Sequence, residues 1–193
     1  MADFVVTTLN DENDSGATVG SPGGDGLSLR EAIALANDSA GRDNITFAAD
    51  LEGTIQLTGG ELFVTDDLLI SGDGKITISG DVAGNDAPDS DGLTDVFAST
   101  TAELADNTRI FGVLTPAGGY FGVDGLTLTG GYLQDGHGST LDGGSGAIRV
   151  LYNTDLSITN SLIAGNGSSD PGTGGAIFAR GDLTITGLSL IHI

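Results

Sequence analysis

Five segments of this chain share one form. They are Leu68-Leu69-Ile70-Ser71-Gly72, Ile76-Thr77-Ile78-Ser79-Gly80, Leu126-Thr127-Leu128-Thr129-Gly130, Leu156-Ser157-Ile158-Thr159-Asn160 and Leu183-Thr184-Ile185-Thr186-Gly187. The form alternates apolar with small polar residues and closes on Gly or Asn. Alternation at period two is the mark of a strand with one face buried and one face wet. A closing Gly or Asn can take a positive φ and let the chain turn a corner. The register repeats as well. Gly146-Ala147-Ile148 recurs 29 residues on as Gly175-Ala176-Ile177, and Asp155-Leu156 recurs 27 residues on as Asp182-Leu183. A unit of that size, holding two or three short strands and several glycine corners, is one turn of a β-solenoid, each turn stacked on the next at about 4.8 Å. Leu69, Ile78, Leu128, Ile158 and Ile185 are expected to line its thin aliphatic axis.

Composition agrees with this. Asp outnumbers Glu 22 to 5 and glycine fills 33 positions, which suits turns and argues against a helical bundle. Aromatics are 5% of the chain and Trp is absent, as a narrow core requires. The formal net charge of -21 repels phosphate backbones and anionic headgroups, so no nucleic-acid partner and no membrane insertion are expected, whereas divalent cations become natural partners. With no cysteine there are no disulfides, thiolate zinc sites or thiol nucleophiles.

Further strands are predicted at 3–9, 44–47, 54–57, 61–65, 67–71, 75–79, 109–114, 125–129, 147–151, 155–159, 176–179 and 182–186. One helix is predicted over 29–38. Ser28 and Glu31 have capping-box spacing, Leu27 can staple against Ala32, and Leu29, Ala32, Ile33 and Ala36 share one face. Standing before the strand array, this helix is expected to cover the open strand edge at its start. The division is therefore 1–43 (strand, acidic loop and capping helix), 44–187 (β-helix turns) and 188–193. The last six residues match a reading frame of a transposon end used in preparing sequencing libraries. They are expected to be a non-native tail on a C-terminally truncated array, so His192 is set aside.

Val6-Thr7-Thr8-Leu9-Asn10-Asp11, Leu27-Ser28-Leu29-Arg30-Glu31-Ala32-Ile33 and Asn44-Ile45-Thr46-Phe47 resemble the CSLREA-type N-terminal region of large bacterial secreted and surface repeat proteins, with Leu27 in place of the usual cysteine. Gly174-Gly175-Ala176-Ile177 and Ser161-Leu162-Ile163-Ala164-Gly165-Asn166 resemble the repeats of polymorphic outer-membrane-protein-like β-helices. Ile163 there replaces an aromatic, and Ser145 replaces the first Gly of the copy ending at Ile148. The resemblance implies an all-β, right-handed parallel β-helix with one N-terminal capping α-helix. Relatives often continue into calcium-binding repeats-in-toxin segments or an anchor, and are exported by a C-terminal signal. The sequence starts without a signal peptide, so the expected location is secreted or cell surface by a type I-like route.

Two chemistries are open. Asp86, Asp89, Asp91 and Asp95 surround Gly92 in a D-x-D-G-x-x-D spacing that suits calcium. The plainer reading is a solvated acidic loop. Asp11, Glu12 and Asp14 form a weaker acidic cluster. Polysaccharide cleavage would need clustered carboxylates beside a base. Arg149 and Arg180 stand near Asp155 and Asp182 in what look like equivalent repeat positions, which reads as a surface Arg–Asp ladder, and His137 reads as a solvated turn residue. The expected function is that of a non-enzymatic, adhesin-like stalk that presents loops to an extracellular glycan or cell-surface ligand. The alternative is a polysaccharide lyase or hydrolase whose site lies in turns beyond this sequence.

Overall fold

The computed structural model describes residues 1–88, 93–94, 96–97, 99–133, 144–169 and 175–191. It is built mostly of strands in parallel sheets, with one α-helix among the described residues. The order is β1 (Asp3–Val6), α1 (Leu29–Asn37), β2 (Asp43–Phe47), β3 (Gly53–Gln56), β4 (Leu62–Val64), β5 (Leu68–Ser79), a 3-10 turn (Glu103–Ala105), β6 (Phe111–Val113), β7 (Tyr120–Thr129) and β8 (Tyr132–Leu133). It continues with β9 (Ile148–Val150), β10 (Asp155–Thr159), β11 (Leu162–Ala164), β12 (Gly167–Ser168), β13 (Ile177–Ala179), β14 (Leu183–Thr186) and β15 (Ser189–Ile191). A nine-stranded sheet runs β1-β2-β5-β7-β10-β14, with β3 beside β5 and β11 between β7 and β15. A four-stranded sheet runs β4-β6-β9-β13, and β8 pairs with β12.

The registers stack like residues into columns. Phe4, Ile45, Ile70, Val123, Ile158 and Ile185 follow one another across six strands. Ile55, Ile78, Leu128 and Ile163 form a second column. Leu62, Phe111, Ile148 and Ile177 form a third on the four-stranded sheet. These side chains are buried, except that Ile177 is half-buried and Ile185 exposed. Phe111 and Phe121 meet between the sheets at 5.2 Å, tilted by 56°. The repeat offsets read from sequence are the observed ones: Ile148 lies opposite Ile177, and Leu156 opposite Leu183.

Two inward assignments are corrected. Leu69 is half-buried, because the pleat that turns Leu68 and Ile70 inward must turn the residue between them outward. Ile185 is 45% exposed and Leu183 47%, since β14 has a strand partner on one side only among the described residues. The predicted strands 67–71 and 75–79 are one strand, β5, whose register shifts between Ser71 and Ile76. The closing residues divide into two kinds. Gly130, Asn160 and Gly187 have φ of +62°, +49° and +64°. Gly72 and Gly80 do not enter that region. They are glycine because a Cβ would lie 2.8 Å from the Gly125 carbonyl oxygen and 2.3 Å from the Thr108 carbonyl oxygen, respectively.

Helix α1 forms as its spacing predicts. The Ser28 hydroxyl accepts from the Glu31 N–H at 3.1 Å, and Glu31 Oε2 accepts from the Ser28 N–H at 2.9 Å. Its buried face, Leu29, Ala32, Ile33 and Ala36, packs against β1, β2 and β4. At the other end, Ser189–Ile191 continues the parallel register beside β11. No described helix is long and apolar enough to cross a membrane.

Candidate functional site

The Ser28-Leu29-Arg30-Glu31 segment acts as a clamp. The Arg30 Nε and Nη2 donate to the two oxygens of Asp11 at 2.8 and 2.9 Å, a bidentate pair. The same guanidinium donates to the carbonyls of Gly60 and Glu61 at 2.6 and 3.2 Å. Asp11 also accepts from the N–H groups of Thr58 and Gly59 at 2.7 and 2.8 Å. Glu31 Oε1 accepts from the Asp14 N–H at 2.8 Å, and the Ser28 hydroxyl donates to the Glu12 carbonyl at 2.8 Å. Each polar residue of the motif thus ties the helix to the acidic loop or to the turn before β4. Of the weaker acidic cluster, Asp11 is consumed by this clamp. Glu12 accepts from the Asn10 side chain and the Asp25 N–H at 3.1 Å each.

On the four-stranded sheet, Arg109 Nη1 lies 2.9 Å and Arg149 Nη2 3.8 Å from the same oxygen, Glu61 Oε1. Glu61 lies across Gly112, where a Cβ would come within 1.9 Å of that oxygen. The equivalence of Arg149 and Arg180 is corrected by register. Arg149 stands opposite Phe178, so Arg180 is two residues further along β13's line, with its guanidinium 5.7 Å from the Phe178 ring centre. Arg109 and Arg149 are both largely buried, so Arg149 is a sheet-binding side chain rather than one step of a surface Arg–Asp ladder with Arg180.

The third cluster lies where residues 81–108 leave the end of β5 and return to β6. The neck of this excursion is closed by the Thr108 N–H on the Gly80 carbonyl at 2.8 Å. At its base the Asp81 carboxylate accepts from the N–H groups of Gly84, Asn85 and Asp86 at 2.8, 3.2 and 3.2 Å. Asp86 is 9% exposed, and its Oδ2 accepts from the Asn107 amide. Asn107 Nδ2 also donates to the Gly130 carbonyl at 3.1 Å. Burial raises the Asp86 carboxyl above its usual 3.8. Hydrogen bonds from Asn107 and Ser99 pull it back, and the charges of Asp81 and Asp106 push it up further. Asp86 Oδ1, Asp106 Oδ1 and Asn107 Oδ1 are buried without a hydrogen-bond partner.

Of the four aspartates proposed as calcium ligands, Asp86 belongs to this cluster, whereas Asp89, Asp91 and Asp95 lie outside the described residues, as does His137. Among the described residues no three His, Cys, Asp or Glu side chains are grouped as a metal site. Sequence reasoning missed Asp81, Asp106 and Asn107, which the excursion brings beside Asp86 from both of its ends. Comparison with protein-family models, curated proteins and solved structures gives no match.

Proposed function

We propose that the chain winds as a right-handed parallel β-helix closed at its start by α1, and that it serves as a stiff, acidic, extracellular stalk of the adhesin-like kind. The observation that carries this reading is the stacking of like residues in parallel register on the nine- and four-stranded sheets, which the chain visits in a fixed order, β9-β10-β11 and then β13-β14-β15. Right-handed crossovers are the general rule for parallel strands in one sheet. Strand pairing along the axis gives stiffness, and the loops between strands carry what is displayed. The charge of -21 keeps copies apart and soluble.

The test is to offer the purified chain a panel of extracellular glycans, including acidic polysaccharides, and to measure binding and turnover together. Saturable binding without release of reducing ends or unsaturated products is the expected result. Turnover would replace the stalk with a carbohydrate-active enzyme, and neither binding nor turnover would remove the display role.

A further inference from the structure

We propose that Asp86, Asp106 and Asn107 form a calcium site that fastens the base of the 81–108 excursion to the strand stack. Three buried acceptor oxygens, one on each of these residues, have no donor. An orphaned buried acceptor is costly and rare, and three on adjoining side chains point to a missing common partner. The partner must bring positive charge. The charges of Asp81 and Asp106 both reach Asp86, and none of the three takes part in a described ion pair. Asp81 is already engaged, because both of its oxygens accept backbone N–H groups. It shapes the loop that presents Asp86.

The donor set is all oxygen, two carboxylates and an amide, on irregular loop backbone. That suits a hard cation tolerant of uneven geometry, calcium rather than magnesium, with water filling the remaining positions. The Asp86–Asn107 hydrogen bond already joins the two ends of the excursion, and Asn107 is tied to the Gly130 carbonyl after β7. The middle of the excursion is already held, by the Thr129 hydroxyl on the Thr94 carbonyl at 2.6 Å and the Val96 N–H on the Gly165 carbonyl at 3.4 Å, so a cation at the base would fasten its two ends.

The experiment is titration calorimetry of the full chain with calcium chloride at about 0.15 M salt, where diffuse binding to a negative surface is screened. We expect saturable binding, weakened at least about tenfold in Asp106→Ala and in Asp86→Ala, and within about twofold of wild type in Asp91→Ala and Asp95→Ala. Hydrogen exchange on the wild type needs no variant. Calcium should slow exchange of the amides of 81–87 and 104–108 and leave those of β10 unchanged. Absence of saturable binding overturns the proposal. So does binding that survives Asp106→Ala but is lost in Asp91→Ala, or an exchange pattern indifferent to calcium.

Discussion

Replacing Asp11 with alanine is expected to cost about 2–4 kcal/mol of stability. Asp11 has a side chain only 1% exposed and receives four N–H donors, two from Arg30 and one each from Thr58 and Gly59. Removing one partner of a buried ion pair costs about 3–5 kcal/mol when the other charge is stranded. Arg30 keeps 15% side-chain exposure and two carbonyl acceptors, and Thr58 and Gly59 are exposed, so water recovers part of that loss. Arg30→Lys keeps the charge and loses the fork, for an expected loss of about 1–2 kcal/mol. The assay is equilibrium urea unfolding at neutral pH followed by far-ultraviolet circular dichroism. The cycle of Asp11→Ala with Arg30→Ala should show a coupling of about 1–3 kcal/mol. A loss below about 1 kcal/mol in Asp11→Ala, at unchanged denaturant slope, would mean that the clamp behaves as an ordinary surface pair and the reasoning fails.

Gly146 and Gly175 hold the same place in the repeat but not the same surroundings. A Cβ at Gly146 would lie 2.0 Å from the Gly131 carbonyl oxygen and 2.6 Å from that of Gly167, whereas at Gly175 no atom of the described residues lies within 4 Å. Gly146→Ala should therefore lower the melting temperature sharply and Gly175→Ala should leave it nearly unchanged; equal effects would contradict the register. Asn166 is fully buried, accepts from the Gly131 N–H at 2.9 Å and donates to the carbonyls of Leu128 and Ala164 at 2.8 and 2.7 Å. Asn166→Ala should cost about 2–4 kcal/mol by urea unfolding, since buried backbone groups are left unpaired, and a loss under about 1 kcal/mol would refute that role. The carboxyl of Asp86 is raised by burial, beside Asp81 and Asp106. The folded state therefore binds its proton more tightly than the unfolded chain, and stability falls as pH rises from about 3.8 through the raised value. In calcium-free buffer Asp86→Asn should lack this fall in melting temperature, and parallel pH curves for the two proteins would contradict it.

Sequence and structure meet most closely where local rules decide the outcome. Ser28 and Glu31 announce the helix start because both partners of a capping box lie within one turn. Ile158 and Ile78 are legible as core because strict alternation fixes the phase of their strands. Leu68-Leu69-Ile70 gives no such phase, so nothing in the sequence shows that Leu69 is the residue that faces outward. Leu162–Ala164 is not legible as a strand because three residues are too few to show a period. The Arg109–Glu61 pair joins residues 48 apart, and the register that brings them together depends on the length of the intervening excursion. For the same reason Asp86 could be marked as a cation ligand, while Asp106 and Asn107, about twenty residues later in the chain, could not be matched to it.

The central claim is that strands far apart in sequence lie side by side in one parallel stack. Asp3, Asn44, Leu69, Gly122, Ser157 and Thr184 follow one another in register across the nine-stranded sheet. Five strand spacings separate the first from the last, a Cα–Cα distance of about 24 Å. The chain has no cysteine, so spin labels on Asp3→Cys and Thr184→Cys report that distance alone by double electron–electron resonance. A single narrow distribution centred near 24 Å, once label length is allowed for, is the predicted result. A broad distribution, or one centred beyond about 40 Å, would contradict the stack.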